Sequence, residues 1–301
     1  IAEAERTVRM SGEVTPHVEG APPPEEKPAG VQPEQMIADW TEQDLYPAFE
    51  DLNSKDTETR AKAAAWLLNQ DISKLADAGL NAIASDMPLE ARRLAATVIQ
   101  RAGEDAVEEL LGKINPDAPG FSLLKLLTVA DTFIEYPKLL PLLRKIALTG
   151  PTETVLPTIE ILDQIPGKEV DMTFLEVFNL AAGKVKVDIL NLIAKRRILE
   201  AVALLIEIIR PKKTWETEER ISLQEHVCRT LGELSAAEST EILIAAAIVP
   251  KPWTLLKTKP DSIREAATLA LRQLPDKMKI RKALDALKKD RSPLVRKAAR
   301  Q

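Results

Sequence analysis

A unit that recurs every 30 to 40 residues constrains the fold of this chain more than any other feature. Each unit reads as a helix, a short polar break and a second helix, which opens with a small apolar residue and a basic one before alanines and a leucine. The clearest copies are residues 86–96, 261–271 and 290–299. Because such a period is typical of stacked helix pairs, the sequence predicts eight units without a gap. Their marker positions are Arg60, Arg92, Lys125, Val155, Asp188, Gln224, Arg264 and Arg296.

The residues around these markers resemble the HEAT repeat family in its bacterial form, which is often compared with bilin-lyase-like repeats. The resemblance covers roughly residues 44–301. It implies an all-α, right-handed α-solenoid of about eight stacked helix pairs, with the second helices on the concave side. In that family an aspartate six residues before the arginine helps to form a ladder between neighbouring units. The resemblance therefore assigns structural roles to Arg60, Asp86, Arg92, Arg264, Asp290 and Arg296. Because Val155, Asp188 and Gln224 replace the arginine, a continuous ladder is not implied.

Composition agrees with an all-α fold outside any membrane. Aromatic residues make up 4% of the chain and there are only 11 glycines, which favours helix over sheet. Cys228 is the single cysteine, so no internal disulfide is expected and a cytoplasmic location is the default. The longest clean apolar run, Ile242–Val249, is far shorter than the roughly 20 residues of a membrane helix. We therefore expect no membrane partner.

The chain divides into a tether and a repeat domain. Residues 1–40 carry six prolines and few large apolar side chains, which predicts a flexible linker. Residues 41–301 hold the repeats, and Thr41 with Asp44 reads as a helix N-cap, so order is predicted to start near Thr41. Because the chain begins with Ile1 and has no signal peptide, we expect it to be one module of a larger bacterial signalling or regulatory protein.

Charge is distributed unevenly along the sequence. Residues 251–301 contain fifteen Lys and Arg against five Asp and Glu, a balance of +10, whereas residues 1–250 carry −15. Since phosphate neutralisation dominates nucleic-acid binding, any such partner is expected only at the basic C-terminal end.

Groups suited to catalysis are few. His226 and Cys228 lie two residues apart, which on a helix points them to opposite faces, so we expect neither shared metal binding nor a catalytic pair. Cys228 is interpreted as a packed core thiol. The carboxylates of Glu216, Glu218 and Glu219 surround Thr217, which predicts helix capping rather than acid/base chemistry. We expect no catalytic residues, metal or cofactor.

Two enlarged loops, residues 211–215 and 250–259, are not required by the repeat. Each interrupts one of the two longest spacings, 36 and 40 residues, and equivalent loops of stacked neighbours project on one ridge. An indole beside ammonium groups suits a protein hot spot or an anionic ligand, although each tryptophan could instead fold back over its own helix pair. The predicted partner-binding residues are Lys212, Lys213, Trp215, Lys251, Trp253, Lys257 and Lys259.

Together these features favour a non-catalytic scaffold that binds a protein or peptide on the concave face, on the Lys/Trp loop ridge, or on both. The alternative is binding of nucleic acid or another anionic ligand by the basic C-terminal repeats. A bilin-lyase-like enzyme is a second alternative, which rests on the family resemblance alone.

Overall fold

A computed structural model of the chain describes residues 40–210, 217–249, 259–275 and 277–301. The predicted linker lies outside these ranges, except for Trp40. The described residues form sixteen α-helices and three short 3-10 helices. They contain no β-strand, only an isolated bridge between Thr41 and Asp44. The predicted all-α class is therefore confirmed for the part of the chain that is described.

The helices follow one another with short connections. In chain order they are α1 (Tyr46–Asp51), α2 (Thr57–Leu67), α3 (Ile72–Ala84), α4 (Leu89–Ala102), α5 (Glu104–Lys113), α6 (Gly120–Leu127), α7 (Leu139–Thr149), α8 (Thr152–Leu162), α9 (Lys168–Leu180), α10 (Gly183–Arg196), α11 (Val202–Ile209), α12 (Glu218–Glu233), α13 (Thr240–Ala247), α14 (Asp261–Leu271), α15 (Lys277–Leu287) and α16 (Pro293–Arg300). The 3-10 helices are Ala130–Phe133, Leu199–Ala201 and Ala237–Ser239. Within the described ranges, no helix is both long enough and apolar enough to cross a lipid bilayer.

All eight marker positions of the sequence repeat fall on alternate helices. They lie, in order, on α2, α4, α6, α8, α10, α12, α14 and α16. Five of the markers occupy the fourth residue of their helix, and these are Arg60, Arg92, Val155, Arg264 and Arg296. The sixteen helices can thus be described as eight consecutive pairs whose second member carries the marker.

Helices pack mostly against near neighbours in the chain, commonly the next helix or the one after it. α12 contacts α14, α10 contacts α12, and α3 contacts α5. Side-chain hydrogen bonds follow the same rule: Arg92 Nη1 donates to Lys125 O at 3.1 Å, and Lys113 Nζ donates to Ser73 O at 3.2 Å. Between described residues, no side-chain hydrogen bond joins positions more than 40 residues apart. The contacts therefore link each helix pair to the adjacent one.

One hydrophobic core cluster extends through the described helices, from Leu45 in front of α1 to Ala299 in α16. Its members include large side chains with no exposed surface, such as Phe49, Leu110 and Phe174. Small residues fill the helix crossings, and Ala95 has no exposed surface. Burial of this continuous apolar cluster is the main contribution to stability.

The predicted helix N-cap at Thr41 is wrong. Thr41 Oγ1 accepts the Asp44 N–H at 3.1 Å, and Asp44 Oδ1 accepts the Tyr46 N–H at 3.0 Å, so the cap signal builds a turn. The first helix begins at Tyr46, with Pro47 in its first turn. Proline lacks an N–H and clashes with the carbonyl four residues earlier, so a helix from Thr41 through Pro47 would be broken.

Candidate functional site

Most of the predicted loop residues lie outside the described part of the chain. This applies to Lys212, Lys213, Trp215, Lys251, Trp253 and Lys257. Lys259 is described and half-buried, and its Nζ donates to Gln224 Oε1 of α12 at 2.8 Å. The end of the second loop is thus bonded to the helix that follows the first loop.

α12 and α14 lie side by side and run in the same direction. At their N-terminal ends Lys259 reaches Gln224, and at their C-terminal ends Ser235 Oγ donates to Gln273 O at 3.3 Å. The helices approach most closely at Gly232, where a Cβ atom would lie 2.8 Å from Ala270 Cα. A glycine is required here by this close approach rather than by backbone conformation.

Gln224 and Arg264 make the same contact in neighbouring helix pairs. Gln224 Nε2 donates to Ile208 O at 3.0 Å, and Arg264 Nε donates to Ala247 O at 3.1 Å. Each bond joins the second helix of a pair to the C-terminal end of the first helix. In both pairs an enlarged loop connects these two helices in sequence. Because α12 and α14 are parallel, the described ends of the two loops lie on the same edge of the helix array.

The arginines at the repeat positions fasten helices to the breaks in front of them. Arg60 Nη1 donates to Ser54 O at 2.7 Å, Arg92 Nε to Met87 O at 3.1 Å, and Arg296 Nη1 to Asp290 O at 2.8 Å. The accepting carbonyl lies five or six residues earlier in each case. These guanidinium groups satisfy backbone acceptors that the break would otherwise leave unpaired.

Ion pairs at the same positions join neighbouring units. Arg264 has no exposed surface, and it donates to Asp261 Oδ1 at 2.9 Å and to Asp290 Oδ2. Asp86 instead accepts from Lys125 Nζ of the next unit at 2.6 Å, and this hydrogen bond lowers the pKa of its carboxyl group. Asp290 therefore faces the preceding unit and Asp86 the following one.

The predicted helix cap at Thr217 is confirmed, whereas Ser292, at the start of α16, forms no side-chain cap. Thr217 is the N-cap of α12, and its side chain accepts the Arg220 N–H, with Glu218 and Glu219 in the first turn. Glu216 lies outside the described residues. Ser292 occupies the N-cap position of α16, but its buried hydroxyl has no hydrogen-bond partner. Its own N–H donates to Asp290 Oδ1, so Asp290 orders this turn.

The histidine and cysteine of α12 have separate surroundings. Cys228 is fully buried, and burial raises the pKa of its thiol to about 12. His226 Nδ1 lies 2.8 Å from Ser222 O within the same helix. Across the ranges given above, no group of three or more His, Cys, Asp or Glu side chains has an arrangement suited to a metal ion.

A cleft of about 450 Å³ lies between the N-terminal ends of α10 and α12. We call it the α10–α12 cleft. Its volume falls within the roughly 300 to 1,000 Å³ range of ligand sites. In sequence, residues 211–216 directly precede Thr217 on its wall. The cleft is lined by Ala181, Ala182, Gly183, Lys184, Lys186, Val187, Thr217, Glu219, Arg220, Ser222 and Leu223.

Charge in the α10–α12 cleft is mainly positive. Lys184 and Lys186 come from α10 and Arg220 from α12, whereas Glu219 is the only carboxylate among the lining residues that the structure describes. The Gly183 N–H donates to Glu219 Oε1 at 3.3 Å, which places this carboxylate at the start of α10. Lys186 Nζ lies 5.0 Å from the ring centroid of Phe178.

Sequence reasoning did not identify this cleft. Its walls come from residues about 36 positions apart, as Gly183 and Glu219 are, so no local motif marks it. The available signal was the alternation of Lys184 and Lys186 directly after a glycine that starts a helix. Gly183 has a positive φ of 53°, which glycine adopts without strain.

The C-terminal helices expose most of their basic side chains. Solvent reaches Arg281, Lys282 and Lys289 of α15 and its following turn, and Lys297 and Arg300 of α16. Lys288 is paired with Asp285 at 2.8 Å, and this hydrogen bond lowers the pKa of Asp285. The predicted basic end is thus a positively charged surface.

Neither of two comparisons with known proteins found a match. No protein-family model matches the chain. No curated protein matches it at a significant level.

Proposed function

We propose that residues 41–301 form a HEAT-like α-solenoid that acts as a non-catalytic scaffold and binds a protein or peptide. Three observations support this. The eight markers fall on alternate helices, the helices pack mostly against near neighbours, and one apolar cluster runs through the array. An array of this kind exposes a large continuous surface for its length, which is the property that repeat proteins use for docking.

The observation that carries the proposal is the parallel packing of α12 against α14. The bonds from Gln224 to Ile208 O and from Arg264 to Ala247 O give the two loops equivalent points of attachment. Lys259 bonds to Gln224 at that edge. The described residues next to the two enlarged loops therefore lie on neighbouring units at one edge of the array, which supports a shared binding ridge.

The proposal is tested by selecting peptides from a phage-displayed random library against the full chain. Selected peptides should bind the Trp215→Ala/Trp253→Ala double variant at least tenfold more weakly than the unchanged protein, because both indoles contribute contact area. Phe121→Ala is the matched control: it removes an aromatic ring that is 64% exposed on α6, outside the two loops. Equal affinity of the selected peptides for the double variant would remove the ridge from the proposal.

Nucleic-acid binding is a second candidate, favoured by the exposed basic side chains of α15 and α16. If it holds, a labelled DNA duplex should bind the full chain, and its affinity should fall steeply between 50 and 200 mM salt, as about 0.9 counterions are released per phosphate contact. The double variant Arg281→Glu/Lys282→Glu should abolish the binding. The control variant Lys168→Glu, which reverses an exposed charge on α9, should leave the DNA affinity unchanged. Absence of salt-dependent binding would exclude this function.

A further inference from the structure

We infer that the α10–α12 cleft binds an acidic segment of the partner protein, in which two carboxylates flank an aliphatic side chain. This inference rests on the proposed scaffold function and names the partner chemistry that one site on the scaffold recognises. The described lining residues of the cleft are not among those named for the Lys/Trp loop ridge.

The first argument is the charge of the lining residues. Lys184 and Lys186 lie on one wall, and Glu219 is the only carboxylate among the described lining residues. Among described residues, neither Lys184 nor Lys186 forms an ion pair. Lys186 Nζ instead makes a cation–π contact with Phe178, 5.0 Å from the ring centroid. These two lysines therefore complement an occupant with two carboxylates.

The second argument is the way in which α10 begins. Its N-cap residue, Ala182, has no side chain that could accept a hydrogen bond, and its first turn contains no acidic residue. A carboxylate from α12 accepts the Gly183 N–H in its place. The protein thus already places one carboxylate at this helix end, where the helix dipole favours negative charge, and lysines beside it favour a second.

The third argument is the apolar part of the cleft. Ala181, Ala182, Val187 and Leu223 contribute aliphatic surface between the basic walls. None of the described lining residues is aromatic, whereas single-stranded nucleic acids bind largely by stacking bases on aromatic rings. An aliphatic side chain between two acidic ones fits this lining better than a nucleotide does.

The test uses a fluorescein-labelled peptide with the core Glu-Leu-Glu-Leu-Glu, and its affinity for the full chain is measured by fluorescence anisotropy. A peptide with Gln in place of Glu is the ligand control. We expect the Gln peptide to bind at least tenfold more weakly, and Lys184→Glu/Lys186→Glu to weaken binding of the Glu peptide at least tenfold. Lys168→Glu, with the same charge change on exposed α9, should leave the affinity unchanged.

Three results would overturn the inference: no binding of the Glu peptide, equal binding of the Gln peptide, or equal affinity of the Lys184→Glu/Lys186→Glu variant. The inference would also be overturned if a phosphorylated oligothymidine bound more tightly than the Glu peptide and if the Lys184→Glu/Lys186→Glu variant lost that binding. Such a result would show that the cleft recognises phosphate. Failure of the scaffold proposal can be distinguished from failure of this inference. Trp215→Ala/Trp253→Ala should weaken binding of the library-selected peptides and leave the Glu peptide bound, because the inference assigns the Glu peptide to Lys184 and Lys186.

Discussion

Replacement of Gly232 by alanine tests the close packing of α12 on α14. The added methyl would lie 2.8 Å from Ala270 Cα, 3.0 Å from Ala270 Cβ and 2.8 Å from Gln273 Oε1. The glutamine side chain can rotate away, but the Ala270 backbone can give way only if the two helices move apart. Overpacking of this kind costs about 1 to 3 kcal/mol, and the better helix propensity of alanine offsets roughly 0.5 to 1 kcal/mol. We therefore expect Gly232→Ala to lower the free energy of unfolding by about 0.5 to 2 kcal/mol.

The assay is urea unfolding of the full chain, followed by circular dichroism at 222 nm. Gly112→Ala is the control, because a Cβ atom at this exposed α5 position would meet nothing within 4 Å. It should raise the stability by up to about 1 kcal/mol. If Gly232→Ala proved as stable as the unchanged protein, the close approach of the two helices would be refuted.

Two further changes probe the same region. Arg264→Met removes the donors to Ala247 O, Asp261 and Asp290 and leaves the Asp290 carboxylate, which is only 8% exposed, without its cation. We expect a loss of about 3 to 5 kcal/mol, seen as a lower urea midpoint and as faster hydrogen exchange in α15 and α16; a loss below about 1 kcal/mol would contradict the buried ion pair. The second change is Cys228→Ala. Burial raises the pKa of the Cys228 thiol to about 12 in the folded protein, so the unfolded chain loses the thiol proton at a lower pH than the folded protein does. The folded state is therefore destabilised relative to the unfolded state as the pH rises towards 12. Between pH 9 and 11 the unchanged protein should lose about 2 kcal/mol more than Cys228→Ala, and equal pH dependence of unfolding would refute the burial.

The all-α class and the alternation of helices were predictable because their causes are local. A marker at the fourth helical residue has a side chain that points back towards the helix N-terminus, so an arginine there can reach carbonyls five or six residues earlier. Arg60 and Arg296 both do so. The start of α1 was mispredicted because Thr41 makes a genuine cap bond, whereas Pro47 decides where a helix can begin.

The candidate site was harder to predict from the sequence than the fold was. The predicted Lys/Trp ridge is a property of loops, and of its residues only Lys259 lies in the described part of the chain. Its bond to Gln224 depends on the register of α14 against α12, which no single repeat encodes. The α10–α12 cleft likewise needs two helices from different pairs. Thr217, in contrast, was correctly identified as a cap, because its partner lies three residues away.

Small-angle X-ray scattering of residues 40–301 tests the central claim, an extended stack of helix pairs that serves as a docking surface. A globular domain of this length would have a radius of gyration of about 18 Å. The account predicts a clearly larger radius of gyration, above about 22 Å, because each helix pair contacts only the adjacent pairs and therefore lengthens the stack. A radius of gyration near 18 Å, with a symmetrical distribution of interatomic distances, would contradict it.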